Sequence, residues 1–214
     1  MLSTIFSATV VFAATNIDDI LVLMLFYSML DAESRAVDIA IGQYIGIAAL
    51  VAISMVGFLG SFFVPKALIG ALGLAPIILG VIKIKQRPST EPDARAGSGV
   101  EDAMKPKPGK SARATRPLII NVALVSIANG GDNIGIYVPY FASVDLHGLL
   151  ISISVFLALV AAWCFISYKL VQQKHIAYVF TRYGDLMVPF VLIALGISIL
   201  IKNGTLEWIT GLAG

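Results

Sequence analysis

The residues best equipped for chemistry are Asp18 and Asp19, in Ala14-Thr15-Asn16-Ile17-Asp18-Asp19-Ile20, two adjacent carboxylates inside an apolar run from Leu2 to Leu30. A charged side chain at the centre of a bilayer costs at least about 2.5–3.5 kcal/mol, so an intramembrane pair of this kind marks a functional site by default. A close echo follows 114 positions later in Ala128-Asn129-Gly130-Gly131-Asp132-Asn133-Ile134, again within an apolar run. Asp18, Asp19 and Asp132 supply up to three negative charges, and Asn16, Asn129 and Asn133 add neutral carbonyl oxygens. Oxygen donors in that number suit a hard divalent cation such as Ca²⁺, Mg²⁺ or Mn²⁺, and Zn²⁺ also accepts carboxylate. The three aspartates are therefore the expected metal ligands, with the three asparagines completing the substrate site. Softer donors are scarce. Cys164 is the one thiol and reads first as a small buried hydrophobe, while Met24 and Met29 read as packing. His147 and His175 fall near span ends and read as interfacial.

The elements that must position these residues are membrane helices. The chain has 214 residues, 58% hydrophobic and only 13% charged, where a soluble domain carries about 25% charged residues. Six stretches are long and apolar enough to span, roughly 3–30, 37–63, 67–85, 117–144, 147–171 and 186–202. The expected fold is an all-α polytopic membrane protein with six transmembrane helices. Residues 86–116 are rich in Pro, Gly, Ser and charge and read as a disordered linker. They separate a first three-helix unit, 1–85, from a second, 117–214. Gly109-Lys110-Ser111 resembles the end of a P-loop, but Met104 stands where that motif needs its first glycine. Gly42-x-x-x-Gly46 reads as close helix packing, with Ala71 and Ala75 in a similar part.

Orientation follows from the basic residues. Of fifteen Lys and Arg, thirteen fall on the side that holds the linker and only Lys66 and Lys202 on the other. The positive-inside rule makes the linker cytoplasmic and puts both termini outside. Three spans per unit then insert the two units upside down relative to each other. Pro76 and Pro189 keep nearly the same offset as the Asp motifs, 113 residues, as a duplication would. The fold expected is thus two inverted three-helix repeats, with Asp18 and Asp132 each the sixteenth residue of its span and both near the midplane. Gly130-Gly131 is the expected break in the fourth span, and Asn16 with the Asp pair the expected break in the first.

Several function classes fall away. A single cysteine allows no intramolecular disulfide and no CxxC centre. A net charge of +2 does not suggest nucleic acid as a partner. The apolar N-terminus lacks a basic n-region and is too long for a signal peptide, so it is expected as a retained helix. No cofactor is expected. No Lys or Arg is expected inside a span, the nine basic residues from Lys83 to Arg116 being counted between the third and fourth spans. A cation and protons competing for the same buried carboxylates would make the protein a secondary antiporter whose inverted units rock about the site. The expected partners are a divalent metal ion, protons and the lipid bilayer, with a second copy of the chain admissible.

The segments Ala14-Thr15-Asn16-Ile17-Asp18-Asp19-Ile20-Leu21-Val22-Leu23 and Asn129-Gly130-Gly131-Asp132-Asn133-Ile134-Gly135-Ile136-Tyr137-Val138-Pro139 resemble the cadmium resistance transporter family, within the lysine-exporter superfamily. The resemblance covers essentially all of the chain outside the linker. It implies a bacterial plasma-membrane exporter with two three-helix repeats, conferring resistance to Cd²⁺ and also Zn²⁺, and it carries over to Asn16, Asp18, Asp19, Asn129, Asp132 and Asn133. Cd²⁺ is a soft ion and the donors are mainly oxygen, so divalent-cation transport is the firmer expectation. Export of a cationic amino acid is the alternative within transport; it would need a positive partner for the substrate carboxylate. An intramembrane aspartyl protease also pairs two aspartates across helices. Asn129-Gly130-Gly131-Asp132 lacks the GxGD spacing such proteases resemble, and Asp19 would have no part to play. The chain is not expected to be an enzyme.

Overall fold

The computed structural model describes residues 1–30, 35–85, 118–171 and 174–205, and of 174–186 the backbone alone. The expected linker, 86–116, lies outside the described residues, and so does the side chain of His175. The described residues are mostly helical and contain no strand. In chain order the helices are α1 (Leu2–Thr15), α2 (Asp19–Ser28), α3 (Ala36–Gly60), α4 (Lys66–Ala71), α5 (Leu74–Lys85), α6 (Leu118–Asn129), α7 (Ile134–Ala142), α8 (Leu146–Leu170) and α9 (Lys174–Lys202).

Three stretches are long and apolar enough to cross a membrane unbroken: Ala36–Gly60, Leu68–Lys85 and Leu146–Leu170. The first and fourth expected spans are each interrupted, α1 bending by 61° into α2 and α6 by 74° into α7. Counting each bent pair as one span raises the total among the described residues to five. The last expected span, 186–202, appears as the shorter apolar stretch Met187–Lys202 at the end of α9. That helix starts earlier than hydropathy marks, at Lys174. Hydropathy locates the uninterrupted apolar part of a helix, and the turns of mixed polarity before it are helical as well.

Packing is reciprocal between the two parts of the chain. The bent pair α1–α2 lies on α8, the bent pair α6–α7 lies on α3, and α5 packs on α9. Helices α3 and α8 are each 25 residues long. The α3–α6 contact needs glycine. A Cβ at Gly42 would stand 2.7 Å from the Ile119 carbonyl oxygen, and one at Gly46 would run into the Ser126 side chain. Small residues let helix backbones approach where lipid offers no hydrophobic drive for association. The GxxxG pair therefore packs as expected.

A buried aromatic cluster fills the crossing. Phe12 of α1 meets Phe156 and Trp163 of α8 at ring-centroid distances of 5.3 and 5.4 Å, and Tyr137 of α7 meets Phe156 at 5.0 Å. These rings stiffen the floor beneath both helix breaks, because each contributes a large, well-ordered contact area.

Candidate functional site

The first break is built from residues that compete with the helix for its own hydrogen bonds. Asn16 ends α1, its side-chain amide donating back to the Phe12 carbonyl at 2.8 Å. Asp18 then opens α2, with its Oδ1 accepting from the Asp19 backbone N–H at 3.1 Å. Asn and Asp favour such ends because their short polar side chains replace lost backbone partners. Asp19 occupies the first turn of α2, where the helix dipole favours negative charge.

Asp19 is almost fully buried, at 2% exposure, and is held from two other helices. Gln43 of α3 donates to its Oδ2 at 2.8 Å, and Asn129 at the end of α6 donates to its Oδ1 at 2.6 Å. The Gln43 carbonyl in turn accepts from the Ser126 hydroxyl of α6. Asn129 also reaches Asp18 Oδ2, at a longer 3.4 Å. A hydrogen bond to a charged group contributes roughly 1.5–3 kcal/mol, so two amides offset much of the cost of burying Asp19. Asp18, only partly buried, has the weaker partners, and its carboxylate is the freer of the two to bind something else.

Asn16 is fully buried and turned away from the aspartates. Its amide donates to the Tyr137 hydroxyl at 2.8 Å, the Thr15 hydroxyl stands 3.0 Å from the same oxygen, and Trp163 Nε1 donates to the Asn16 carbonyl at 2.7 Å. Broken backbone at membrane depth survives only where its polar groups find protein partners or water, and Trp163 supplies that partner here. Asn133, 2% exposed, reaches Asn16 Oδ1 at 3.4 Å. The expected residues Asn16, Asp18, Asp19, Asn129 and Asn133 are thus brought together across the two breaks.

Asp132 is placed differently. It sits in the Gly130–Asn133 turn with 46% of its side chain exposed, and its Oδ2 faces Lys83 Nζ of α5 at 3.8 Å. This corrects the expectation that no basic residue lies inside a span. Lys83 belongs to the stretch Leu68–Lys85, so a count by side assigned it to the linker when its contact is with a site residue. Asp132 is consequently one lysine side chain from the last turn of α5. It remains within coulombic range of Asp18 and Asp19. Among the described residues, no three His, Cys, Asp or Glu side chains stand close enough together to hold a metal ion. Cys164 is buried on α8.

Gln43, Ser126, Tyr137, Trp163 and Lys83 are site residues that sequence reasoning passed over. Gln43 carried a signal, a lone amide between two packing glycines in an otherwise apolar helix. Chemically, a carboxylate pair fixed by amides and fronted by a third carboxylate suits a cation.

No curated protein and no solved structure matches the chain. A family model described as cadmium resistance transporter matches residues 12–212, a stretch that takes in both breaks and every residue named above. With nearly its whole length matched, the chain belongs to the cadmium resistance transporter family, a family of transporters and not of enzymes.

Proposed function

We propose that the protein is a secondary transporter that exports divalent heavy-metal cations, Cd²⁺ and also Zn²⁺, from a bacterial cell across the plasma membrane in exchange for protons. The observation that carries this reading is the Asp18–Asp19 pair at a bent helix break, fixed by Asn129 and Gln43 from two other helices. Asp18 and Asp19 bind the ion, Asp132 joins them on loading, and the carbonyl oxygens of Asn129, Asn16 and Asn133 complete or support the shell. The family match supports metal as the cargo.

In this reading residues 1–85 and 117–214 are inverted three-helix repeats joined by a cytoplasmic linker, 86–116, with both termini outside. The reciprocal packing of α1–α2 on α8 and of α6–α7 on α3 supports it. The basic residues gathered on the linker side support the orientation. Proton exchange follows from competition: an ion entering a pair of carboxylates expels whatever protons they hold.

The test is a metal-sensitive bacterial host carrying the wild type, Asp18→Asn or Asp19→Asn, challenged with Cd²⁺, Zn²⁺, Mn²⁺ and Co²⁺ and assayed for retained metal. The wild type should lower retention of at least Cd²⁺, and either substitution should raise it to the level of the empty host. Equal retention in all strains for every metal ends the reading. In vesicles, a metal flux indifferent to an imposed pH gradient would remove the proton coupling and leave export standing.

One observation favours a second reading. Export of a cationic amino acid needs a positive partner for the substrate carboxylate, and Lys83 is such a partner beside Asp132. Accumulation of labelled lysine or arginine in cells, unchanged by expression of the protein, excludes it.

A further inference from the structure

Among the described residues the Lys83–Asp132 contact is the one ion pair, and it joins a helix of the first half to the break of the second. The metal-export reading above gives Lys83 no part. We propose that Lys83 is a tethered competitor for the metal: its ammonium holds Asp132, and a divalent cation has to displace it before that carboxylate joins the coordination shell. This rests on the reading of Asp18, Asp19 and Asp132 as the cation site.

Four observations carry it. At 3.8 Å the contact is a coulombic one, longer than a hydrogen bond, and so can be given up without losing directed bonds. Both side chains are about half exposed, 40% for Lys83 and 46% for Asp132, so an arriving ion can meet the pair before the buried Asp19. Lys83 is also within coulombic range of Asp18, and Asp132 within range of both Asp18 and Asp19, so the ammonium sits in the field of the carboxylates that would attract the metal. The residue is lysine, a compact charge on a flexible four-carbon stem that can swing aside, where arginine would grip the carboxylate in a fixed fork. A lysine so placed limits how tightly the site holds its cargo, which helps an exporter that must release what it binds.

The experiment is equilibrium binding of Cd²⁺ to the purified full chain in detergent, comparing the wild type with Lys83→Met, Lys83→Arg, Asp132→Asn and the Lys83→Met/Asp132→Asn double variant. Removing the competitor should tighten binding roughly 1.5- to fivefold in Lys83→Met, the range of a partly exposed ion pair. Lys83→Arg should bind no more tightly than the wild type, and in the Asp132→Asn background Lys83→Met should have no further effect. Unchanged or weaker binding in Lys83→Met overturns the proposal, as does equal tightening with and without Asp132. If the wild type binds no Cd²⁺ at all, the metal-site reading itself fails, an outcome distinct from a wild type and Lys83→Met that bind equally.

Discussion

The two helix breaks share a motif and differ in almost everything around it. At the first, Asp19 is buried, both its oxygens are held by amides from other helices, and the broken backbone is closed by Trp163. At the second, two glycines make the turn and Asp132 stands half exposed against a lysine. In the proposed reading the first break is the fixed receptor and the second the flank that joins it on loading. The difference in charge lies in a single pair of positions 114 residues apart, Asp19 and Asn133. The buried member is charged at one break and neutral at the other, so the burial that costs most is undertaken once, where the amides to support it exist.

This contrast sets the order of expected effects. Asp19→Asn should be the most damaging change, abolishing export and returning cellular Cd²⁺ to the level of the empty host; Asp132→Asn should leave measurable export. Equal loss in the two would erase the distinction between receptor and flank.

Gln43→Ala removes one of the two amides on Asp19. Groups that orient ligands are worth about 10–100-fold in metal affinity, and a loss of about that size is expected in Cd²⁺ binding by the purified protein. Binding within a factor of two of the wild type would mean that Asn129 alone suffices.

The two glycines of the second break should also separate. A Cβ at Gly130 would press on Leu50 and stand 3.1 Å from the Ser126 carbonyl oxygen, whereas at Gly131 the nearest atom, the Ala128 carbonyl oxygen, is at 3.6 Å. Neither has a positive φ. Gly130→Ala should lower stability by about 1–3 kcal/mol through overpacking, and Gly131→Ala should leave it within about 0.5 kcal/mol, as read by thermal unfolding of the detergent-solubilised protein. The smallest effect expected is that of Cys164→Ser, which should change Cd²⁺ resistance of the host less than about twofold, because the thiol is buried on α8 as a small packing residue.

The breaks were legible in the sequence because Asn, Asp and Gly interrupt helices by local chemistry, and in an apolar run nothing else competes for the eye. Asp18, Asp19, Asn129 and Asn133 come from that signal alone. The α3–α6 contact was legible for a similar reason, since Gly42 and Gly46 can serve close approach and little else. Tyr137 and Trp163 were not, because an aromatic in a membrane helix is usually packing, and only knowing that α7 and α8 meet the end of α1 turns their polar atoms toward Asn16. Lys83 was misread because charge was counted by side of the membrane, a rule about topology that says nothing of which carboxylate a lysine near a helix end will find. The early start of α9 escaped for a third reason: its first turns mix Ile176, Val179 and Phe180 with Lys174, His175, Arg182 and Asp185, so no unbroken apolar run marks them.

Trp163 has one more consequence. Its indole N–H is tied to the backbone of the residue where α1 ends, two positions before the first carboxylate. The sequence holds only one other tryptophan, Trp208. A Trp208→Phe variant therefore carries a single native fluorophore wired to the break, and its emission would report optically, without any attached dye, each time that stretch of chain shifts.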